Sequence, residues 1–339
     1  MAKCKEKYFE RSRKEEKNEK VTISRATLIW RAAKLPMYTV AVIPLTVGTA
    51  AAYLETGYYS SERYFILLAS FVLVNLWVNL SDVYDFDTGA DKTKESLLLT
   101  YRTVIHILSW LLLALGFAGF CWVGVEAKNP HAILLLTSAI FCGYTYQCPP
   151  YRLSYHGLGE PLCFAAFGPF CTVGFYLLQS SSSELPISGT IVSASILVGF
   201  TSALILFCSH FHQIEDDKAV GKISPLVRLG TENGSKVVKV AVLGLYCLLF
   251  GLGLTQTLPF SCIVLCTMTL PIGNLVVSFV QNNHKDNSQI FMAKYYCVRL
   301  HTVFGVGLAA GLVASRLLHS EEQLQNLLTY FDCAKFAYL

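Results

Sequence analysis

Charged side chains are scarce in this chain of 339 residues, since Asp, Glu, Lys and Arg together make up only 15% of it. A soluble globular domain carries about 25% charged residues, whereas hydrophobic residues fill 53% of this sequence. A large soluble helical protein would also need a polar face on each helix, and stretches such as "ILSWLLLALGFAGFCWVGV" have none. The scarcity of charge therefore favours a membrane protein over a soluble one.

Paired cysteine spacing is also absent, although the chain has 12 cysteines. Most of them fall inside apolar stretches, where a small and weakly polar side chain is ordinary packing. We therefore predict neither a disulfide framework nor a cysteine metal site.

The first 35 residues are polar and rich in Lys and Glu. They have no apolar core like that of a signal peptide and too many acids for a transit peptide. We expect any targeting segment to have been removed or to lie upstream of this sequence. We predict a solvated, largely disordered tail, and the alternative is a helical arm on an anionic membrane surface.

Nine apolar stretches approach the length of about 20 residues that a membrane-spanning helix needs. If all nine span, 23 of the 27 Lys and Arg residues lie on one face, which carries the N-terminal tail and the loops after spans two, four, six and eight. Such an asymmetry marks a cytosol-like side. We predict an all-α, multi-pass protein with a basic tail (1–35), a transmembrane domain (36–318) and a short C-terminal tail (319–339). The stretches are approximately 37–54, 64–81, 104–125, 131–147, 161–179, 188–208, 237–256, 258–280 and 296–317.

Acidic residues between positions 35 and 315 concentrate in two clusters on this positive face, one after the second stretch and one after the sixth. The separation of about 135 residues, or four spans, suggests a four-helix unit used twice around a central cavity, with the ninth helix left over. The first cluster is Asp82, Asp85, Asp87 and Asp91, and the second is Glu215, Asp216 and Asp217.

Helical spacing gives each cluster a shared face. Asn79, Asp82 and Asp85 are three residues apart, and Gln213 and Asp217 are four apart. One such cluster is commonly a solvated helix end, but matched clusters on one face of a membrane protein indicate function, because intramembrane acids are costly. Two opposed faces of this kind would form an oxygen-rich site, and Mg²⁺ prefers carboxylates together with substrate phosphate. We therefore predict Mg²⁺ as a cofactor.

The stretches "NLSDVYDFDTGADK" and "HQIEDDKAVGKISPLVRLG" resemble the two aspartate-rich signatures of the UbiA superfamily of intramembrane aromatic prenyltransferases. That superfamily has nine helices, and the resemblance covers nearly the whole chain. The stretches "QCPP", "SHFHQ" and "FMAKYYCVRLH" resemble the branch that prenylates a naphthalene ring in phylloquinone synthesis. Two positions depart from the signatures: Ser81 stands where the first has Asn, and Gln213 where the second has an acid.

The resemblance implies transfer of a phytyl or other polyprenyl group from its diphosphate to a carboxylated naphthoquinone or dihydroxynaphthoate ring. Carbon dioxide and diphosphate would leave. Asp82, Asp85 and Asp217 would hold Mg²⁺ against the leaving group, and Glu215 and Asp216 would be further ligands.

Other residues follow from the same resemblance. Asp82, Asp85 and Asp217 would be catalytic together with His212, and His212 or its neighbour His210 would orient the acceptor or take a proton. The expected substrate-binding residues are Lys34, Asn79, Lys92, Tyr146, Arg152, Gln213, Lys222 and Arg228.

Three alternatives stay open. An ion-coupled carrier also combines paired acids with repeated helices, although carriers place their sites near the midplane of the membrane. A non-catalytic relative would explain Ser81 and Gln213, and a homogentisate prenyltransferase would use a different acceptor. The favoured interpretation is an enzyme of a chloroplast membrane, whose partners are lipid, the prenyl diphosphate and the naphthoquinone acceptor, with no nucleic acid.

Overall fold

A computed structural model describes residues 35–80, 95–179 and 185–337, and all structural statements below concern these residues. They form helices joined by short turns, with no strand in the described ranges. The α-helices are α1 (Leu35–Thr56), α2 (Ser61–Leu80), α3 (Glu95–Glu126), α4 (Pro130–Gln147), α5 (Gly159–Ala165), α6 (Val173–Gln179), α7 (Gly189–Ser209), α8 (Ile214–Ala219), α9 (Pro225–Leu254), α10 (Phe260–Thr267), α11 (Leu270–Asn283), α12 (Asn287–Ile290) and α13 (Ala293–Ala337).

The helices coincide with all nine apolar stretches of the sequence. Among the described residues, six helical segments are long and apolar enough to cross a membrane, and the bent pair α10–α11 would make a seventh. The apolar part of α1, Val40–Thr56, is shorter, and α4 has only 18 residues and ends in the polar run "YTYQ". The predicted all-α, multi-pass class is confirmed, with six or seven candidate spans. Helix α13 continues to Ala337 and so extends through most of the predicted C-terminal tail.

Two helices begin at side-chain caps that follow from the sequence. The Asn129 side chain accepts a hydrogen bond of 3.1 Å from the N–H of Ala132 at the start of α4. The Ser224 hydroxyl accepts one of 3.4 Å from the N–H of Val227 at the start of α9. In both helices the residue after the cap is proline, which suits the first helical position because its missing N–H would have no partner there. The second cap fixes where the chain re-enters a helix after the acid-rich loop.

The segment Gly159–Gln179 is one helical run with an irregular middle. Helices α5 and α6 are joined by a π-helical segment, Ala166–Thr172, which contains Pro169. A proline cannot donate to the helix ladder, and π-helical turns recur at functional sites. A Cβ on Gly168 would lie 2.9 Å from the Cα of Gly199, so this run and α7 pack backbone to backbone. That packing leaves no room for a side chain at Gly168.

Two contacts each join a pair of polar segments that are predicted to share a face. On the predicted positive face, the N–H of Ile223 donates a 2.8 Å hydrogen bond to the carbonyl of Tyr155, which joins the loops after α7 and α4. On the predicted opposite face, Arg63 at the start of α2 forms a 2.9 Å ion pair with Glu126 at the end of α3. These two contacts place the ends of the helices concerned next to each other.

Candidate active site

The acid-rich loop after α7 folds back on itself at Gly221. This glycine has a φ of +72°, a conformation that favours glycine, and the N–H of Lys222 donates a 2.9 Å hydrogen bond to the carbonyl of Asp217. The turn brings the two side chains together, with Lys222 Nζ 3.2 Å from Asp217 Oδ1. The side chains are only 9% and 4% exposed, so the ion pair lies in the interior of the protein.

The second carboxylate oxygen of Asp217 has no such partner. Oδ2 is buried and accepts no hydrogen bond among the described residues. A buried polar atom without a partner costs free energy, and an unpaired carboxylate oxygen is a ligand that a hard divalent cation prefers. Asp217 therefore fits one ligand position of a Mg²⁺ site.

The neighbouring acids have different surroundings. Glu215 and Asp216 are both exposed, and Glu215 forms a 3.1 Å ion pair with Lys218. Within the described ranges, no three His, Cys, Asp or Glu side chains are placed to hold a metal together. The predicted ligands Asp82 and Asp85 lie outside the described residues, and so the predicted five-residue metal site stays a prediction.

The loop after α4 lies against this turn. Its sequence, "QCPPYRLSYHGLGE", contains a cis peptide bond between Pro149 and Pro150. The Arg228 guanidinium donates a 2.9 Å hydrogen bond to the carbonyl of His156. A Cβ on Gly157 would lie 2.8 Å from the carbonyl oxygen of Ile223, so only glycine allows this approach. Arg228 in the first turn of α9 and Ile223, the residue after Lys222, thus both bind the loop that follows α4.

Arg152 lies in the same loop. Its Nε is buried without a hydrogen-bond partner in the described part of the chain, and its guanidinium carbon lies 5.9 Å from the centre of the Tyr155 ring. Because Tyr155 is hydrogen-bonded to the loop of Lys222, Arg152 is anchored near the acid-rich turn. A guanidinium there suits a phosphate group, which it can bind through two parallel hydrogen bonds.

Glu160 and His210 form a buried pair, of which sequence reasoning identified His210 but not Glu160. The His210 Nδ1 and the Glu160 Oε1 are 3.0 Å apart, and the two side chains are 3% and 14% exposed. The pair links the start of α5 to the end of α7, directly before the helix that carries Asp217. The available signal was an acid at the start of an apolar span, which is costly and usually functional.

The remaining predicted residues are spread around this region. The His212 ring meets the Phe291 ring edge-on, with centroids 4.9 Å apart. Gln213 is half-buried, and the Tyr146 ring packs against Gly159 at the start of α5. Lys34 and Lys92 lie outside the described residues, as does the side chain of Asn79.

The fold and this site define an all-helical, multi-pass membrane protein with a buried Asp–Lys ion pair and a buried Glu–His hydrogen bond near the ends of its helices. The chain belongs to the UbiA prenyltransferase family, which its residues 41–298 match. It is 62% identical over 301 residues to the chloroplastic 2-carboxy-1,4-naphthoquinone phytyltransferase of Arabidopsis thaliana, an alignment that covers 87% of this chain and 79% of the relative.

Two further comparisons agree. The chain is 40% identical over 289 residues to the 2-carboxy-1,4-naphthoquinone phytyltransferase of Synechocystis, covering 84% of this chain and 92% of the relative. Its fold matches that of a UbiA homologue from Archaeoglobus fulgidus bound to GPP and Mg²⁺, with a TM-score of 0.56 and 16% identity over 83% of this chain and 98% of that one.

Proposed function

We propose that this protein transfers a phytyl group from phytyl diphosphate to a carboxylated naphthoquinone ring in its dihydroxy form, in the synthesis of phylloquinone. The observation that carries the proposal is the 62% identity to a 2-carboxy-1,4-naphthoquinone phytyltransferase over 87% of the chain. The buried Asp217–Lys222 pair supports it, because the leaving group is a diphosphate and its binding requires both a cation site and positive side chains.

The metal half of the site would combine Asp217 with Asp82 and Asp85 of the first acidic cluster. The unpaired Oδ2 of Asp217 supports this assignment. Glu215 and Asp216 are weaker candidates, since both are exposed and Glu215 is paired with Lys218. When bound, Mg²⁺ would supply positive charge to the oxygens of the leaving diphosphate.

The side chains of this face would stabilise the departing group and protect the cation. Lys222, Arg228 and Arg152 would bind the diphosphate as the bond between its oxygen and the prenyl carbon breaks, with the electron pair leaving on oxygen. Lys34, Lys92, Asn79 and Gln213 would complete the polar pocket. The ring of Tyr146, which packs at the start of α5, would face the allylic cation.

The acceptor carbon that bears the carboxyl group would then attack the cation. A carbon–carbon bond forms to the prenyl group, and the bond to the carboxyl group breaks, returning its electron pair to the ring as carbon dioxide leaves. No ring proton needs to be removed at that carbon. His212 would orient the acceptor, which its ring contact with Phe291 supports, or hold a proton of a ring hydroxyl.

The same proposal extends to topology and location. Nine spans, as two four-helix units and one further helix, are supported by the helices at all nine apolar stretches, including α1 and α4 beyond the six or seven candidate spans. Location in a chloroplast membrane is supported by the chloroplastic Arabidopsis relative. The C-terminal residues would extend α13 beyond the membrane.

The proposal can be tested with membranes that contain the protein. They would be supplied with phytyl diphosphate, Mg²⁺ and an acceptor, and the product would be identified by its mass. A carboxylated dihydroxynaphthalene should yield a prenylated product with the mass of the carboxyl group missing. Product from homogentisate alone would support the second candidate acceptor. No product from either acceptor would favour a non-catalytic relative.

A further inference from the structure

The buried Glu160–His210 pair leaves one carboxylate oxygen without a partner. Oε1 of Glu160 lies 3.0 Å from Nδ1 of His210, whereas Oε2 is buried and accepts no hydrogen bond among the described residues. A Cβ on Gly159 would lie 2.9 Å from the Tyr146 ring and 3.4 Å from the Leu206 side chain, so the start of α5 packs against largely apolar groups. A carboxylate oxygen in such surroundings is costly unless a hydrogen-bond donor reaches it.

The Glu160–His210 pair and Asp217 lie on the same side of one helical segment. His210 begins a 3₁₀ helix, His210–Gln213, that continues directly into α8. Three 3₁₀ steps of about 120° and four α-helical steps of about 100° bring Asp217 to within about 40° of His210 around the axis, and about 12 Å farther along it. The side chains of His210 and Asp217 are 3% and 4% exposed, so both face the interior of the protein.

The segment that carries Glu160 contacts this helical segment and the turn after it at two places. At one end Glu160 contacts His210, and at the other the carbonyl of Tyr155 accepts a 2.8 Å hydrogen bond from the N–H of Ile223. Asp217 lies between these two contacts in the sequence, and its own Oδ2 is buried without a partner among the described residues. If Asp217 holds the metal of the leaving group, Glu160 therefore lies on the side from which the acceptor ring can approach.

The chemistry of Glu160 Oε2 limits the groups that it can bind. A carboxylate oxygen accepts hydrogen bonds and donates none. The diphosphate and the carboxylate of the acceptor are acceptors as well, and the prenyl chain has no polar hydrogen. Among the reacting groups, only the hydroxyls of the dihydroxy ring can donate. In the oxidised ring, the quinone, the same oxygens are carbonyls and would oppose Oε2 without a hydrogen between them.

We propose that Glu160 binds a ring hydroxyl of the aromatic acceptor through Oε2 and so makes the protein select the dihydroxy ring over the quinone. His210 is the positioning residue, because its Nδ1–H donates to Oε1 and fixes the orientation of the carboxylate. This inference rests on the proposed function and adds a specificity-determining residue to it.

The contact also suits the electron flow of the reaction. A dihydroxy ring is electron-rich and can attack an allylic cation, whereas a quinone ring is electron-poor. As the new carbon–carbon bond forms, positive charge spreads to the hydroxyl next to the attacked carbon, and a hydrogen bond from that hydroxyl to Oε2 becomes stronger. When carbon dioxide leaves, its electron pair neutralises the ring, and the hydroxyl keeps its proton.

Direct binding to the purified protein under anaerobic conditions tests the proposal. The probes are 1,4-dihydroxy-2-naphthoate and 1,4-naphthoquinone-2-carboxylate, which differ by two hydrogen atoms, and Mg²⁺ and inorganic diphosphate would be added for the leaving-group site. The unchanged protein should bind the dihydroxy probe about tenfold to a hundredfold more tightly. Glu160→Gln should abolish or reverse this preference, because its amide oxygen can keep the bond to His210 while its NH₂ group donates to a quinone oxygen.

Three further variants serve as controls. Glu232→Gln makes the same change from acid to amide in an exposed ion pair with Lys236, and it should leave the preference unchanged. His210→Asn keeps an N–H donor near the position of Nδ1 and should retain most of the preference. His210→Ala removes the donor and should weaken the preference, because Glu160 is then no longer held in one orientation.

A preference for the dihydroxy probe that persists in Glu160→Gln overturns the proposal, as does equal binding of the two probes by the unchanged protein. If Glu160→Gln does not fold, the two His210 variants decide, and equal preferences in both overturn the proposal. If the unchanged protein binds homogentisate and neither naphthalene probe, the proposed function itself fails, which the other outcomes do not imply.

Discussion

Lys222 Nζ lies 3.2 Å from Asp217 Oδ1 inside the protein, while the other oxygen of the same carboxylate is buried without a partner among the described residues. A buried charge needs compensation, and Lys222 supplies it at only one oxygen. The arrangement leaves the Oδ2 atom of Asp217 as a ligand for a second positive charge. It also explains how an acidic cluster is tolerated at the end of an apolar helix.

Replacing Asp217 should lower kcat much more than replacing Glu215, which lies two residues earlier. Asp217→Asn should lower kcat by about 10²- to 10³-fold, the usual effect of removing one preorganised electrostatic contact. Glu215→Gln should lower it a few-fold at most, because Glu215 is 75% exposed and paired with Lys218. Initial rates in detergent at several Mg²⁺ concentrations measure both. Equal losses in the two variants would contradict the assignment of Asp217 as the main ligand of this loop.

A double variant separates the contribution of the Asp217–Lys222 ion pair to stability from its contribution to catalysis. Asp217→Asn or Lys222→Met alone leaves one buried charge unpaired and should destabilise the fold by about 3–5 kcal/mol. Asp217→Asn combined with Lys222→Met removes both charges, so much of this loss should be recovered while the protein stays inactive. Thermal unfolding in detergent monitors stability. Additive losses in the double variant would show that the two side chains do not interact.

The close approach of the two loops depends on Gly157. Gly157→Ala introduces a Cβ about 2.8 Å from the Ile223 carbonyl at a residue with a φ of +77°, and should destabilise the protein by about 1–3 kcal/mol. Activity should fall as well, since the loops of Arg152 and Lys222 move apart. Gly251→Ala in α9 is the control, because nothing lies within 4 Å of its Cβ, and it should gain about 0.5–1 kcal/mol. Similar unfolding temperatures for the two variants would refute the predicted clash.

The Glu160–His210 pair should act through its hydrogen bond and not through the charge of Glu160. Glu160→Ala leaves the buried His210 Nδ1 without its 3.0 Å partner, a loss of about 1–3 kcal/mol. Glu160→Gln keeps an oxygen that can accept the bond and should retain most of the stability. Unfolding temperatures of the two variants decide the matter. If Gln is as damaging as Ala, the negative charge is what the pair requires.

Much of the fold could be predicted because apolar length and the Lys and Arg asymmetry are direct consequences of the bilayer. Helices coincide with all nine stretches, and Arg63 and Ile223 each contact a residue of a second loop that is predicted to share their face. The π-helical segment around Pro169 was not predictable from hydropathy, since it lies where Gly168 packs against Gly199, a residue distant in the sequence. The extension of α13 through its polar end was not predicted either. The prediction located helices by apolar length, and the thickness of the membrane does not limit a helix that continues outside it.

The part of the site that consists of residues close together in the sequence could be predicted. The acids of the second cluster were evident, but burial of Asp217 and exposure of Glu215 depend on which helical face meets the protein. Glu160 and His210 are 50 residues apart, and no local pattern joins them. Likewise, the contact of Phe291 with His212 links loops that only the folded chain brings together.

The most direct test of the central claim follows both products of one reaction. Purified protein would be supplied with phytyl diphosphate, Mg²⁺ and 1,4-dihydroxy-2-naphthoate labelled with ¹³C in the carboxyl group, and labelled carbon dioxide and prenylated ring would be quantified together. We expect equal amounts of the two, and neither from the Asp217→Asn variant. A prenylated ring that retains the label, or product formed only from homogentisate, would contradict the proposed reaction.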